Sequence, residues 1–218
     1  MELKGKVIDF LGDSITEGYG VQNVAANRFD NVLKESAALK AVHNYGVGGS
    51  RIAHQRMPSE KPRWDLCFCG RAYDMDPSAD IIVVLGGTND YGHGDAPFGQ
   101  SDDHTPATFC GAVNFLMDFL KTQYPRATIV FMTPSHRNGD ANPSAKAQTD
   151  KRPLAAYVDH ILAAAKQRGI ATLDLFRDLP IDPNRAEDRE KYSPDGLHLN
   201  DAGHRMVAAT LEAFLKKL

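Results

Sequence analysis

The stretch Val7-Ile8-Asp9-Phe10-Leu11-Gly12-Asp13-Ser14-Ile15-Thr16-Glu17-Gly18 decides how the chain folds. Its first five residues hold four large apolar side chains, a short run that reads as a buried strand. Gly12 then allows a sharp bend. A serine at the head of the following turn leaves the strand at the point where an open sheet gathers ligands. Strand, tight turn and helix start form the opening unit of a parallel sheet closed by crossover helices.

Four more runs of this kind follow, at residues 41–45, 81–85, 128–132 and 170–176, the last entered through Gly169 at a helix end. Between them, Phe29, Val32, Leu33 and Ala37 recur at helical spacing, as do Phe109, Val113, Leu116, Met117 and Leu120. Residues 154–168 and 201–217 repeat the pattern, with Asp201 expected as N-cap and Lys216 and Lys217 at the negative helix end. Strands alternating with amphipathic helices predict an α/β protein with helices on both sheet faces. Long polar segments at 91–106 and 134–150 are expected as rim loops.

The 218 residues show no repeat or composition break, so one domain spanning 1–218 is expected. Hydrophobic residues make up 42% and charged residues 24%, which excludes disordered and fibrous classes. The 25 basic and 28 acidic residues leave a net charge of −3, giving no electrostatic reason for a nucleic-acid partner. The first ten residues carry charges at Glu2, Lys4, Lys6 and Asp9, and no run reaches membrane-spanning length. Three cysteines make no disulfide framework, so Cys67 and Cys69 read as structural thiols and the cytoplasm as the compartment.

In an open parallel sheet, ligands bind beyond the carboxyl ends of the strands. The residues there are Gly12-Asp13-Ser14 after the first strand, Gly46-Val47-Gly48-Gly49-Ser50-Arg51 after the second and Gly86-Gly87-Thr88-Asn89-Asp90 after the third. Past the fifth comes Asp195-Gly196-Leu197-His198. Acyl transfer by a hydroxyl needs a base, a carboxylate to orient the base, and donors aimed at the oxyanion. Ser14 is the expected nucleophile, His198 the base and Asp195 its partner, because a three-residue turn lets the carboxylate reach one ring nitrogen. The backbone N–H groups of Ser14 and Gly49 and the amide of Asn89 are the expected oxyanion donors. Asp90 reads as structural.

These four blocks, in this order and at these strand ends, resemble those of the SGNH (GDSL-type) hydrolases along almost the whole chain. The resemblance implies a flavodoxin-like three-layer α/β/α sandwich with five parallel strands in the order 2-1-3-4-5. It also implies a serine esterase with Ser14, Asp195 and His198 as triad and Ser14, Gly49 and Asn89 as oxyanion hole. Leu199-Asn200 departs from the proline that members often carry just past the histidine, leaving the functional groups intact.

Other readings are set against this one. His198 and His204 with Asp195 and Asp201 lack the helical i, i+4 histidine pair of zinc hydrolases, so no metal is expected, and the ester mechanism requires no cofactor. The Gly46–Gly49 run lacks full dinucleotide spacing, which leaves a nucleotide-binding module as the reading from a different class. Rim residues Arg51, Trp64, Tyr91 and His93 can shape a pocket or be plain loop side chains. Polar rim loops argue for a small-molecule ester, a short acyl group such as acetyl on a carbohydrate or other polar alcohol. A lysophospholipase or thioesterase with longer acyl preference is the alternative.

Overall fold

The computed structural model describes residues 1–144 and 152–218. Five parallel strands, β1 (Val7–Gly12), β2 (Ala41–Gly46), β3 (Ile81–Leu85), β4 (Thr128–Met132) and β5 (Ala171–Leu173), form one sheet in the order β2-β1-β3-β4-β5. Ten α-helices accompany them among the described residues. These are α1 (Ser14–Glu17), α2 (Val24–Asn27), α3 (Phe29–Ser36), α4 (Phe68–Arg71), α5 (Thr88–His93), α6 (Phe109–Gln123), α7 (Leu154–Arg168), α8 (Leu175–Asp178), α9 (Ala186–Tyr192) and α10 (Asp201–Leu215).

Alternation along the strands sends side chains to two separate cores. Leu11, Ile82, Val84 and Phe131 pack beneath α4, α6 and α7, while Ile8, Phe10, Val83 and Met132 pack beneath α3 and α10. Both sets are almost wholly shielded from solvent, which explains why the strands read as continuous apolar runs. The result is the three-layer α/β/α arrangement.

Three expectations need correction. The fifth strand ends at Leu173, and residues 175–178 turn into α8, because Thr133 donates its hydroxyl to Asp174 and accepts the N–H of Phe176 there. The segment expected as a loop from residue 91 begins helically, since α5 runs to His93. The cap of α10 is Asn200, whose side chain accepts from the N–H groups of Ala202 and Gly203. Asp201 is instead the first helical residue and accepts from the Gln22 N–H and the Asn27 amide. The stretch 145–150 of the second rim loop lies outside the described residues.

Register positions the site. Gly12 at the end of β1 pairs with Gly46 of β2 and Leu85 of β3, so three chains leave the sheet at one level. Gly12 is required there: a Cβ would lie 1.9 Å from the Thr16 hydroxyl as α1 folds back over the strand end. Arg71 of α4 ties these ends together by donating to the carbonyls of Tyr45 and Gly12 and to the Ser50 hydroxyl. Burial lowers its pKa to about 10, leaving it a cation at neutral pH.

Candidate active site

Ser14 is the first residue of α1, so its backbone N–H has no acceptor within the helix. Asp13 caps that helix by accepting the Ile15 N–H at 3.0 Å. Full burial raises the Asp13 pKa to about 7. The Ser14 hydroxyl lies 2.9 Å from Nε2 of His198, a contact between residues 184 apart in sequence. On the other side of the ring, Nδ1 lies 2.6 Å from Oδ2 of Asp195.

The three-residue turn from Asp195 to His198 is self-supporting. Oδ1 of Asp195 accepts the backbone N–H groups of Leu197 and His198, while Oδ2 is left for the imidazole. Partial burial pushes the Asp195 carboxyl up, but the hydrogen bonds from the ring and from these two N–H groups outweigh it and hold the pKa below its ordinary value. An ionised Asp195 fixes the tautomer with hydrogen on Nδ1, so the lone pair on Nε2 faces the Ser14 hydroxyl.

The donor side is built by β2 and α5. In the loop after β2, Val47 N–H goes to the Gly12 carbonyl, Gly48 N–H to Oε2 of Glu17 at 2.6 Å, and Ser50 N–H to the Val47 carbonyl. Ile52 and Ala53 donate to the two oxygens of Asp90, a structural role for that carboxylate, whose pKa full burial raises to about 6. Among the described residues, no acceptor takes the N–H of Gly49. Asn89, in the first turn of α5, donates one amide hydrogen to the Ser50 carbonyl at 3.0 Å, and its Oδ1 lies 3.2 Å from Nε2 of His93. Its second amide hydrogen is left for a ligand.

Several residues at the site carried no mark in the sequence reading. Glu17, one helical turn beyond Ser14, holds Gly48 with one oxygen and Arg63 with the other, joining the serine helix to the Gly49 loop. Its place in the same motif as Ser14 was the available signal. Tyr19 lies with its ring centroid 4.4 Å from that of His198. Arg137 donates to the carbonyl and hydroxyl of Thr88, bracing the start of α5.

Of the rim residues, Trp64 lies against Gly49 and 4.7 Å from the His93 ring. Arg51 is buried, bonded to Ser59, Asp65 and the Trp64 carbonyl, and Tyr91 is turned inward to the carbonyls of Gly139 and Asn142. A cleft of about 220 Å³ opens beside Trp64 and His93, with Arg51, Met57, Pro58 and Asp95 among its other walls. A cleft of about 370 Å³ lies at the opposite rim, where β4 begins, away from this chemistry. Cys67, Cys69 and Cys110 are all buried. His204, weighed as a metal ligand, is buried with Nδ1 accepting the Phe29 N–H.

A hydroxyl, an imidazole and a carboxylate aligned at the carboxyl rim of a parallel sheet are the arrangement of serine-type hydrolases, and the family match narrows the class to carboxylic ester hydrolases. The chain belongs to the GDSL-like lipase/acylhydrolase family, whose model matches residues 10–206. Among solved structures, a protein from Lactobacillus plantarum is similar at 29% identity and a TM-score of 0.83, covering 99% of this chain and 98% of that one. A carbohydrate acetylesterase family member from Sinorhizobium meliloti shares the fold at 18% identity and a TM-score of 0.64, covering 97% and 98%. No curated protein matches the sequence.

Proposed function

We propose that the protein removes short acyl groups, acetyl foremost, from carbohydrates or other polar alcohols through an acyl-enzyme on Ser14. Ser14 attacks the ester carbonyl while Nε2 of His198 takes its proton, and Asp195 stabilises the imidazolium that forms. The oxyanion is received by the N–H groups of Ser14 and Gly49 and by the Asn89 amide. The tetrahedral intermediate collapses as His198 returns the proton to the departing alcohol. Water, deprotonated by the same imidazole, then releases the acid and restores Ser14. The residues of one domain, 1–218, supply every group these steps use.

The observation that carries this reading is the unbroken line from the Ser14 hydroxyl through His198 to Asp195. The choice of a short acyl group rests on the surroundings. Residues 135–144 are mostly Ser, Arg, Asn and Asp, and the small cleft beside Trp64 sets Arg51, Ser59, Glu60 and Asp95 beside Met57 and Pro58, without the Leu, Ile and Phe that would line a lipid groove. The S. meliloti neighbour bears the name of a carbohydrate acetylesterase. No helix among the described residues is long and apolar enough to cross a membrane. The buried, unbridged thiols of Cys67 and Cys69 fit a reducing, cytoplasmic setting.

The test is acetate release from acetylated sugars, together with a p-nitrophenyl ester series from acetyl to palmitoyl. Rates highest at acetyl are expected, and a rate rising with chain length would replace this reading with the long-acyl one. Ser14→Ala should abolish turnover of p-nitrophenyl acetate in a folded protein. Activity near wild type in that variant would remove Ser14 from its role.

A further inference from the structure

The ester hydrolysis described above fixes where the two halves of a substrate must lie. The oxyanion sits against Ser14, Gly49 and Asn89, and the departing oxygen must come within hydrogen-bond reach of Nε2 of His198 to receive its proton. The alcohol therefore extends over the His198 side of the site. The acyl substituent is directed away from it, toward Trp64 and His93.

On the His198 side stands Tyr19. Its ring centroid is 4.4 Å from that of His198, with the two planes inclined at 57°. Tyr19 is nonetheless 63% exposed, among the most exposed large hydrophobic residues of those described. The exposure does not reflect a loose backbone. Tyr19 N–H donates to the Ser14 carbonyl at 2.9 Å, directly after the left-handed Gly18 that ends α1. Gly20, at φ +92°, presses so closely on the His198 turn that a Cβ there would lie 2.7 Å from the Leu199 carbonyl oxygen. A pinned backbone thus presents a wet aromatic face beside the base. From there the chain leads to Gln22, an exposed amide suited to hydroxyl groups, and to Asn23, exposed as well, whose oxygen caps α2 by accepting the Ala26 N–H and whose NH2 group remains to donate.

We propose that Tyr19 is the leaving-group platform of this enzyme, the surface on which the ring of an acetylated pyranose lies as its oxygen departs past His198. A pyranose offers an apolar face of C–H groups to the aromatic ring and hydroxyls around its edge. An exposed tyrosine bordered by amides matches both. This rests on Ser14 and His198 acting as described, and it assigns the alcohol half of the substrate to a residue that takes no part in the bond changes.

The experiment compares two acetates that share one acetyl-enzyme, methyl tri-O-acetyl-xylopyranoside and ethyl acetate. In Tyr19→Ala the ratio of kcat/KM for the pyranoside to that for ethyl acetate should fall about tenfold, the size of one lost aromatic contact. Tyr19→Trp and Tyr19→Phe should restore that ratio to within about threefold of wild type, since either keeps an aromatic face. The fall should arise in acylation alone, because the alcohol has left before the acetyl-enzyme hydrolyses. Deacylation, read after the p-nitrophenol burst from p-nitrophenyl acetate, reports on that.

An unchanged ratio in Tyr19→Ala overturns the proposal. So does an equal fall on both esters with slowed deacylation, which would mean that Tyr19 acts through His198. A wild-type preference for ethyl acetate over the pyranoside overturns it as well. Acetate release surviving in Ser14→Ala would instead strike the underlying mechanism, so the two failures are distinguishable.

Discussion

Replacing Asn89 with alanine separates catalysis from architecture at this site. The Asn89 amide has two hydrogens and one oxygen, and two of these three are engaged by the protein. One hydrogen goes to the Ser50 carbonyl at 3.0 Å, and the oxygen faces Nε2 of His93 at 3.2 Å. The remaining hydrogen is the one available to an oxyanion. Losing an oxyanion donor costs about 3 kcal/mol in the transition state, or on the order of a hundredfold in kcat. Losing the bond to Ser50 leaves a buried carbonyl without its donor and costs about 1–3 kcal/mol of stability. The first loss appears in the steady-state and burst kinetics of p-nitrophenyl acetate, and the second in urea unfolding followed by circular dichroism. Asn89→Asp, of nearly equal size, sets a carboxylate against the Ser50 carbonyl and against the developing negative charge, so its kcat should fall further than that of alanine. A fall confined to KM, or an aspartate variant as active as wild type, would refute the assignment of the amide to the oxyanion.

Two more outcomes follow from the same geometry. Burial lowers the His204 pKa from 6.5 to about 4, so between these values the folded protein binds fewer protons than the unfolded chain, and stability is lost as pH falls. His204→Gln, which keeps an acceptor near the Phe29 N–H, should remove a pH-dependent difference of about 3 kcal/mol across that window. Urea midpoints at a series of pH values measure it, and parallel profiles for the two proteins would contradict it. Gly49→Ala should lower stability by about 1 kcal/mol or more, because alanine is strained where φ is positive. Here φ is +78° and the new Cβ would lie 2.0 Å from the Trp64 ring. Turnover should fall with it, and adding Trp64→Ala should recover part of the lost stability by relieving the clash. A Gly49→Ala protein with an unchanged melting temperature would show that the loop relaxes freely.

The strands at residues 81–85 and 128–132 were legible because both their faces are covered, and buried strands read as unbroken apolar runs. The fifth strand was overdrawn for a related reason. Leu175 and Phe176 continue its apolar pattern, yet the hydroxyl of Thr133, just past β4, captures Asp174 and turns the chain into α8. The cap of α10 was misplaced by one residue, because Asn200 and Asp201 are equally good caps by composition. Only the distant Gln22 and Asn27, which occupy the Asp201 carboxylate, separate them.

At the site, sequence alone determined what sits at each strand end: a serine beyond β1, adjacent glycines beyond β2, an amide beyond β3 and an Asp-x-x-His turn before α10. Such signals survive in sequence because turns and strand ends are set by residues within a few positions of one another. Which of Gly48 and Gly49 keeps a free N–H was decided by Glu17, 31 residues from the bond it makes. The pairing of Ser14 with His198 spans 184 residues, and the tyrosine beside that histidine gives no local sign of its neighbour. These contacts depend on the register that brings Gly12, Gly46 and Leu85 to one level. That register belongs to the packed sheet, where burying both faces fixes the strands relative to one another.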